Sequence, residues 1–246
     1  GLADQAYPGA ALAIGDRDGE LYRYVTGNRA VYPGSAGNGE CGVAPVIYVI
    51  DAPEHPVEPS VLSEQRQSTV IALPVHDWND SLTPWPAPRI YRESEDFGGD
   101  AAMTLDELLR VIPAIEQAEH LAPRSRAICG YSLAGLFALY AFVSSREFSA
   151  CACLSGSVWY EGWVEHLRAL DFDAEGRFAY FTLGSKERKS RNRVFRTVED
   201  DMAACADIVR AKGGTADFLV CPGDHLHHIP ERCSAGLRAL DDFLAR

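Results

Sequence analysis

The chain has 246 residues, 47% of them apolar and 24% charged, with a net charge of −12. That length suits one α/β domain with a full core, expected here over 1–246, and the negative charge argues against nucleic acid or anionic membrane as partners, since both would repel it. No apolar run reaches the length of a membrane-spanning helix, and the first residues lack the basic-then-apolar pattern of a secretory signal. The seven cysteines are odd in number, and several sit inside apolar strand-like runs. This fits reduced thiols in core packing better than a disulfide framework, so a cytoplasmic setting is expected.

Residues 7–14 and 19–26 are β-type runs joined at the polar turn Asp16-Arg17-Asp18-Gly19, an expected antiparallel hairpin at a sheet edge. A glycine-rich loop follows over 33–42. The continuous apolar runs 43–50, ending at Asp51, and 68–75 have the pattern of buried parallel strands, with a segment of some helical character between them. From 76 to 100 the pattern lapses into Pro, Trp, Gly and acidic residues, the mark of a functional loop. Its two tryptophans argue for an ordered one. Thr104, with Glu107 three residues on, reads as a capping box opening a helix over 105–119.

Residues 127–140 run as an apolar strand, turn sharply at Ser132 and leave as a helix rich in small residues. This is the form of a nucleophile elbow: the serine is held in a strained conformation at the strand's carboxyl end while Gly130, Ala134 and Gly135 let strand and helix approach. Strands are expected at 148–154, 178–183 and 215–221, with helices near 162–170, 197–212 and 232–244. The alternation predicts an α/β fold with a mostly parallel sheet covered on both faces. Only about twenty residues separate the strands ending at Leu154 and starting near Phe178, too few for a large cap domain.

A serine hydroxyl needs a base, and the base needs an acid to hold one tautomer. His225 directly follows the last predicted strand, where a loop can swing it over the sheet edge; His228 is the alternative base. The cluster His225, His227 and His228 also permits a metal-site reading, but no distant ligand completes it and no metal is expected. Glu187, just past the strand ending near Leu183, is the expected acid, with Asp224 as fallback. The oxyanion hole requires two N–H donors: Leu133 supplies one, and Ala52 is the expected second because Pro53 has none. Trp78, Trp85, Trp159 and Trp163 all lie beyond strand ends, the ligand side of such sheets. Trp78, Trp85, Trp159 and Tyr131 are therefore expected around a substrate pocket, although large aromatics can equally cement loops. Lys186, Arg188, Lys189, Arg191, Arg193 and Arg196 form either a solvated segment or a local attraction for an anionic substrate.

Several segments together resemble the esterase D-like (Putative esterase) family of α/β-hydrolases. They are Tyr48-Val49-Ile50-Asp51, the run from Asn79 to Trp85, Gly130-Tyr131-Ser132-Leu133-Ala134-Gly135, Ser155-Gly156-Ser157-Val158-Trp159, Gly184-Ser185-Lys186-Glu187, and Gly223-Asp224-His225 followed by Arg232. The resemblance implies an α/β-hydrolase fold and a cofactor-free serine esterase, with Ser132 as nucleophile, His225 as base and Glu187 as acid. The family includes trilactone-siderophore esterases, feruloyl esterase modules and mycolyltransferases, so the expected substrate is a small-molecule ester, bulky or anionic. Two departures stand out: Ala134 replaces the last glycine of Gly-x-Ser-x-Gly, and Ala-Pro follows Asp51 where relatives often have Gly-Asn. Acyl transfer on the same scaffold and a catalytically silent binding module are the alternative readings.

Overall fold

The computed structural model describes residues 29–35 and 43–246. The hairpin expected over 7–26, and Cys41 with it, lies outside the described residues. Among the described residues seven strands form one sheet in the order β1-β3-β2-β4-β5-β6-β7: β1 (Ala30–Tyr32), β2 (Val46–Asp51), β3 (Thr69–Pro74), β4 (Arg126–Tyr131), β5 (Ala150–Leu154), β6 (Phe178–Gly184) and β7 (Thr215–Cys221). All neighbours pair in parallel except β1, which runs antiparallel against β3, with Val31 opposite Ile71. This short edge strand falls just before the glycine-rich loop and was not expected. Three residues are too few for a period-two pattern to stand out.

The described helices are α1 (Pro59–Leu62), α2 (Trp78–Ser81), α3 (Ala101–Ala118), α4 (Leu133–Ser144), α5 (Trp163–Ala169), α6 (Val198–Ala211) and α7 (Ile229–Leu244). The period of two divides the strands' apolar side chains between two cores. Tyr48, Ile71, Ile128, Cys151, Cys153 and Phe181 face one, which contains much of α3, α4 and α6. Ile47, Val49, Cys129, Ala152 and Tyr180 face the other, closed by Leu237, Leu240 and Leu244 of α7. Cys151 and Cys153 thus share a face, as their spacing requires. Helix α4 is buried almost all round, which explains its lack of a polar stripe.

Two helix starts differ from expectation. Helix α3 begins at Ala101, and Thr104 is a buried interior residue rather than a cap. The earlier start follows from tertiary bonds: Asp100 N–H donates to the Asp80 carbonyl (2.8 Å) and Ala101 N–H to the Thr83 carbonyl (3.0 Å), occupying donors that a cap would otherwise satisfy. Helix α7 begins at Ile229, with a proline in its first turn.

The chain passes from β2 outward to β3 and returns across β2 to β4, so strand order reverses between β2 and β4. Ligands in open parallel sheets bind beyond the carboxyl ends of strands at such a reversal. Ser132 follows β4 there, Glu187 follows β6 and His225 follows β7.

Candidate active site

Ser132 joins β4 to α4 with φ 61° and ψ −122°, a region that side-chain-bearing residues avoid. The strain is held by its surroundings: Ser132 N–H donates to the Leu154 carbonyl (3.0 Å), and its own carbonyl accepts from Ser157 N–H (3.0 Å) and Gly135 N–H (3.0 Å). The turn is tight enough that a Cβ on Gly130 would stand 2.2 Å from the Ala134 carbonyl oxygen. A glycine is therefore obligatory two residues before the serine, whereas the Ala134 methyl is accommodated.

His225 Nε2 lies 3.0 Å from Ser132 Oγ, and His225 Nδ1 lies 2.9 Å from Glu187 Oε2. The other carboxylate oxygen, Oε1, accepts from Ser155 Oγ (2.7 Å) and Gly184 N–H (2.7 Å). Burial by itself would raise the Glu187 pKa. The hydrogen bond from His225 and its charge, with the donors Ser155 and Gly184, outweigh this and hold the carboxyl below its ordinary 4.5. Glu187 is thus an ionised acceptor that fixes Nδ1 as the protonated nitrogen and leaves Nε2 facing the serine as an acceptor. Asp224 engages His227 instead (2.7 Å), whose hydrogen bond, with that of Leu226 N–H, holds it down at about 2. His228 turns outward to Glu231 (3.3 Å).

As the first residue of α4, Leu133 has an N–H without an intrahelical partner, and it lines the same cleft as Ser132. The Ala52 N–H, the expected second donor, is committed elsewhere. It donates to Asp51 Oδ1 (2.9 Å), which also takes the Val57 N–H (3.0 Å). Asp51 is buried and needs donors, so the turn after β2 folds onto its own aspartate.

The cleft over Ser132 has a volume of about 160 Å³ and is walled by Trp78, Tyr91, Phe97, Trp159 and Phe195, with the Ser157 hydroxyl, buried and without a protein partner, among its lining. Two of the expected wall residues lie elsewhere. Trp85 packs against Tyr160, Trp163 and His166 and donates to the Glu161 carbonyl (3.0 Å), cementing the long loop to the β5–α5 connection. Tyr131 points beneath His225: its hydroxyl donates to the His225 carbonyl (2.8 Å) and accepts from Arg232. Burial pushes the phenol up to about 12, so it keeps its proton.

A wider cavity of about 570 Å³ adjoins the first, sharing Tyr91, Phe195 and His225, and is lined by the cations Lys186, Lys189 and Arg191 and by the carboxylates Glu187 and Asp224. Among the described residues no carboxylate pairs with these three; Arg188, by contrast, pairs with Glu199 (3.3 Å). The Asn192 side chain donates to the Ile90 carbonyl (2.9 Å), tying the basic segment to the long loop across the cleft. Sequence reasoning passed over Tyr91, Phe195 and Asn192, which act through contacts between distant loops. Ser155 and Arg232 were noted without a role. Arg232 did carry a signal, a charged residue on the otherwise apolar stripe Cys233, Gly236, Leu237, Leu240 and Leu244.

A family model described as Putative esterase matches residues 31–197, a span that includes Ser132 and Glu187 and stops short of His225. The chain is 26% identical over 238 residues to YbbA, an uncharacterized protein of Bacillus subtilis (strain 168), covering 91% of this chain and 95% of that one. An IroE-like serine hydrolase from Shewanella oneidensis superposes with a TM-score of 0.71 at 18% identity, over 87% of this chain and 75% of the other. The siderophore hydrolase EstA from Aspergillus nidulans superposes with a TM-score of 0.68 at 17% identity, over 98% and 96%. At these identities the two structures show a shared fold.

Proposed function

The chain belongs to the Putative esterase family, and on that premise we propose that it cleaves carboxylic esters through an acyl-enzyme on Ser132. The observation that carries this reading is the continuous hydrogen-bonded line from Ser132 through His225 to Glu187, behind a strained elbow. Ser132 Oγ attacks the ester carbonyl as His225 Nε2 takes its proton, and Glu187 stabilises the imidazolium that forms. The Leu133 N–H meets the developing oxyanion at the start of α4. His225 then returns the proton to the leaving alcohol, and the same groups activate water to release the acid. None of these steps requires a cofactor.

The substrate class follows from the walls. Trp78, Trp159 and Phe195 favour a bulky, flat group near Ser132. Lys186, Lys189 and Arg191 favour a negative charge beyond His225, in a chain that otherwise repels anions. The siderophore hydrolases named among the structural neighbours support a bulky small-molecule ester.

The test is hydrolysis of paired aryl esters, one neutral and one carrying a carboxylate on the group opposite the scissile bond. We expect kcat/KM to favour the anionic ester and the preference to weaken as salt is raised. Replacing Lys189 and Arg191 together by alanine should reduce the anionic-to-neutral ratio by about tenfold, the effect of roughly 1.4 kcal/mol of lost attraction. An unchanged ratio would remove the anionic assignment, and no ester hydrolysis by the folded parent would remove the esterase reading.

A further inference from the structure

We propose that Arg232 and Tyr131 act as a positioning clamp that sets the His225 imidazole over Ser132, Arg232 holding the backbone of the base loop and Tyr131 tying that loop to the nucleophile's own strand. The proposal rests on the esterase reading above and assigns roles that reading does not need.

Arg232 lies in the first turn of α7 and is 1% exposed. Burying a guanidinium is costly unless its hydrogen bonds are met, and an apolar residue would fill this stripe at lower cost. Its partners therefore show what the charge is for. Nη2 donates to the carbonyls of Asp224 and His227, each at 2.6 Å, on either side of the base. Nη1 donates to Ser155 Oγ (2.9 Å) and to the Tyr131 hydroxyl, and stands 3.6 Å from Glu187 Oε1. One side chain thus reaches the base loop, the acid, the serine that orients the acid, and the residue next to the nucleophile.

Tyr131 completes the arrangement by donating to the carbonyl of His225 itself (2.8 Å), with its ring centroid 5.4 Å from the imidazole. The proton count is consistent. Each hydroxyl accepts from Arg232 and donates onward, Tyr131 to the His225 carbonyl and Ser155 to Glu187. The loop needs such ties because it is otherwise exposed; Leu226, next to the base, is 76% exposed. Room for the clamp comes from Gly184, where a Cβ would lie 2.7 Å from the Gly223 carbonyl oxygen and 2.9 Å from Arg232 Nη2.

The experiment compares the parent with Tyr131→Phe, Arg232→Met and Arg232→Lys by steady-state hydrolysis of a p-nitrophenyl ester, by thermal melting, and by the low-field proton NMR resonance of the imidazole N–H held by Glu187. Tyr131→Phe removes both hydrogen bonds of the hydroxyl and is expected to lower kcat about tenfold with KM nearly unchanged, while the melting temperature falls by only a few degrees and the variant stays folded at the assay temperature. Arg232→Met is expected to lower kcat by about 10²-fold, as a base displaced by an ångström would, with partial recovery in Arg232→Lys. The resonance should broaden or shift in Tyr131→Phe. Because Tyr131→Phe removes a single oxygen, it decides the matter if Arg232→Met fails to fold. An unchanged kcat and unchanged resonance in Tyr131→Phe would overturn the clamp, as would a kcat loss that tracks the loss of folded protein. If the parent itself turns over no ester, the esterase reading fails, and the resonance still decides whether the clamp positions His225.

Discussion

Ser132→Ala is expected to lower kcat for a short aryl ester by about 10⁵- to 10⁶-fold, because the nucleophile and its base act as a unit. The substitution removes one oxygen from a strained turn whose backbone is held independently by Leu154, Ser157 and Gly135. Fold and substrate binding should therefore survive, with KM or the dissociation constant of a product acid changing little. The elbow strain does not depend on the hydroxyl, so stability should hold or rise slightly. Residual hydrolysis would come from the Leu133 N–H and from binding alone. Steady-state kinetics with a thermal melt of the same sample checks this. A variant as fast as the parent would exclude an acyl-enzyme on Ser132.

Glu187→Gln is expected to reduce kcat by about 10⁴-fold, for a reason that can be traced atom by atom. Ser155 Oγ and Gly184 N–H both donate to Oε1. In the glutamine variant the amide oxygen must occupy that position, since an NH₂ group there would face two donors. The NH₂ group then points at His225 Nδ1, which has to accept. The imidazole is forced into the tautomer with its proton on Nε2, facing Ser132 with nothing able to take the serine proton. A glutamine free to rotate would lose less, so the size of the effect reports how firmly Ser155 and Gly184 hold that end of the side chain.

The same substitution alters stability with pH. The Glu187 carboxyl lies below 4.5 in the folded chain, so ionisation favours the folded state. That contribution is complete above about pH 4.5 and is lost as pH falls through the folded value. Melting temperatures of parent and Glu187→Gln should therefore converge on acidification below pH 4.5. A constant difference across that range would show that the carboxylate is not held as described.

The triad candidates were legible because local patterns carry them. A strained serine needs small neighbours on both sides, and Gly130 and Gly135 stand there; a base and an acid need strand ends, and His225 and Glu187 follow β7 and β6. What could not be read depends on encounters between distant segments. Trp85 and Trp159 both follow strand ends, and only the position of the β5–α5 connection makes one a loop cement and the other a cleft wall. Ala52 has an N–H in the right turn, but the buried Asp51 claims it first. Thr104 and Glu107 match a capping box, yet the loop bonds at Asp100 and Ala101 start the helix one turn earlier. Arg232 was visible as an oddity of the α7 stripe, but its four hydrogen-bond partners come from three other parts of the chain.

Whether Ser132 is an activated nucleophile is decided by labelling the native protein with a fluorophosphonate and locating the modified peptide by mass spectrometry, alongside His225→Ala. Stoichiometric modification at Ser132 is expected, with labelling at least about 10³-fold slower when His225 is removed. No modification of the folded parent, or equally fast labelling without His225, would contradict it.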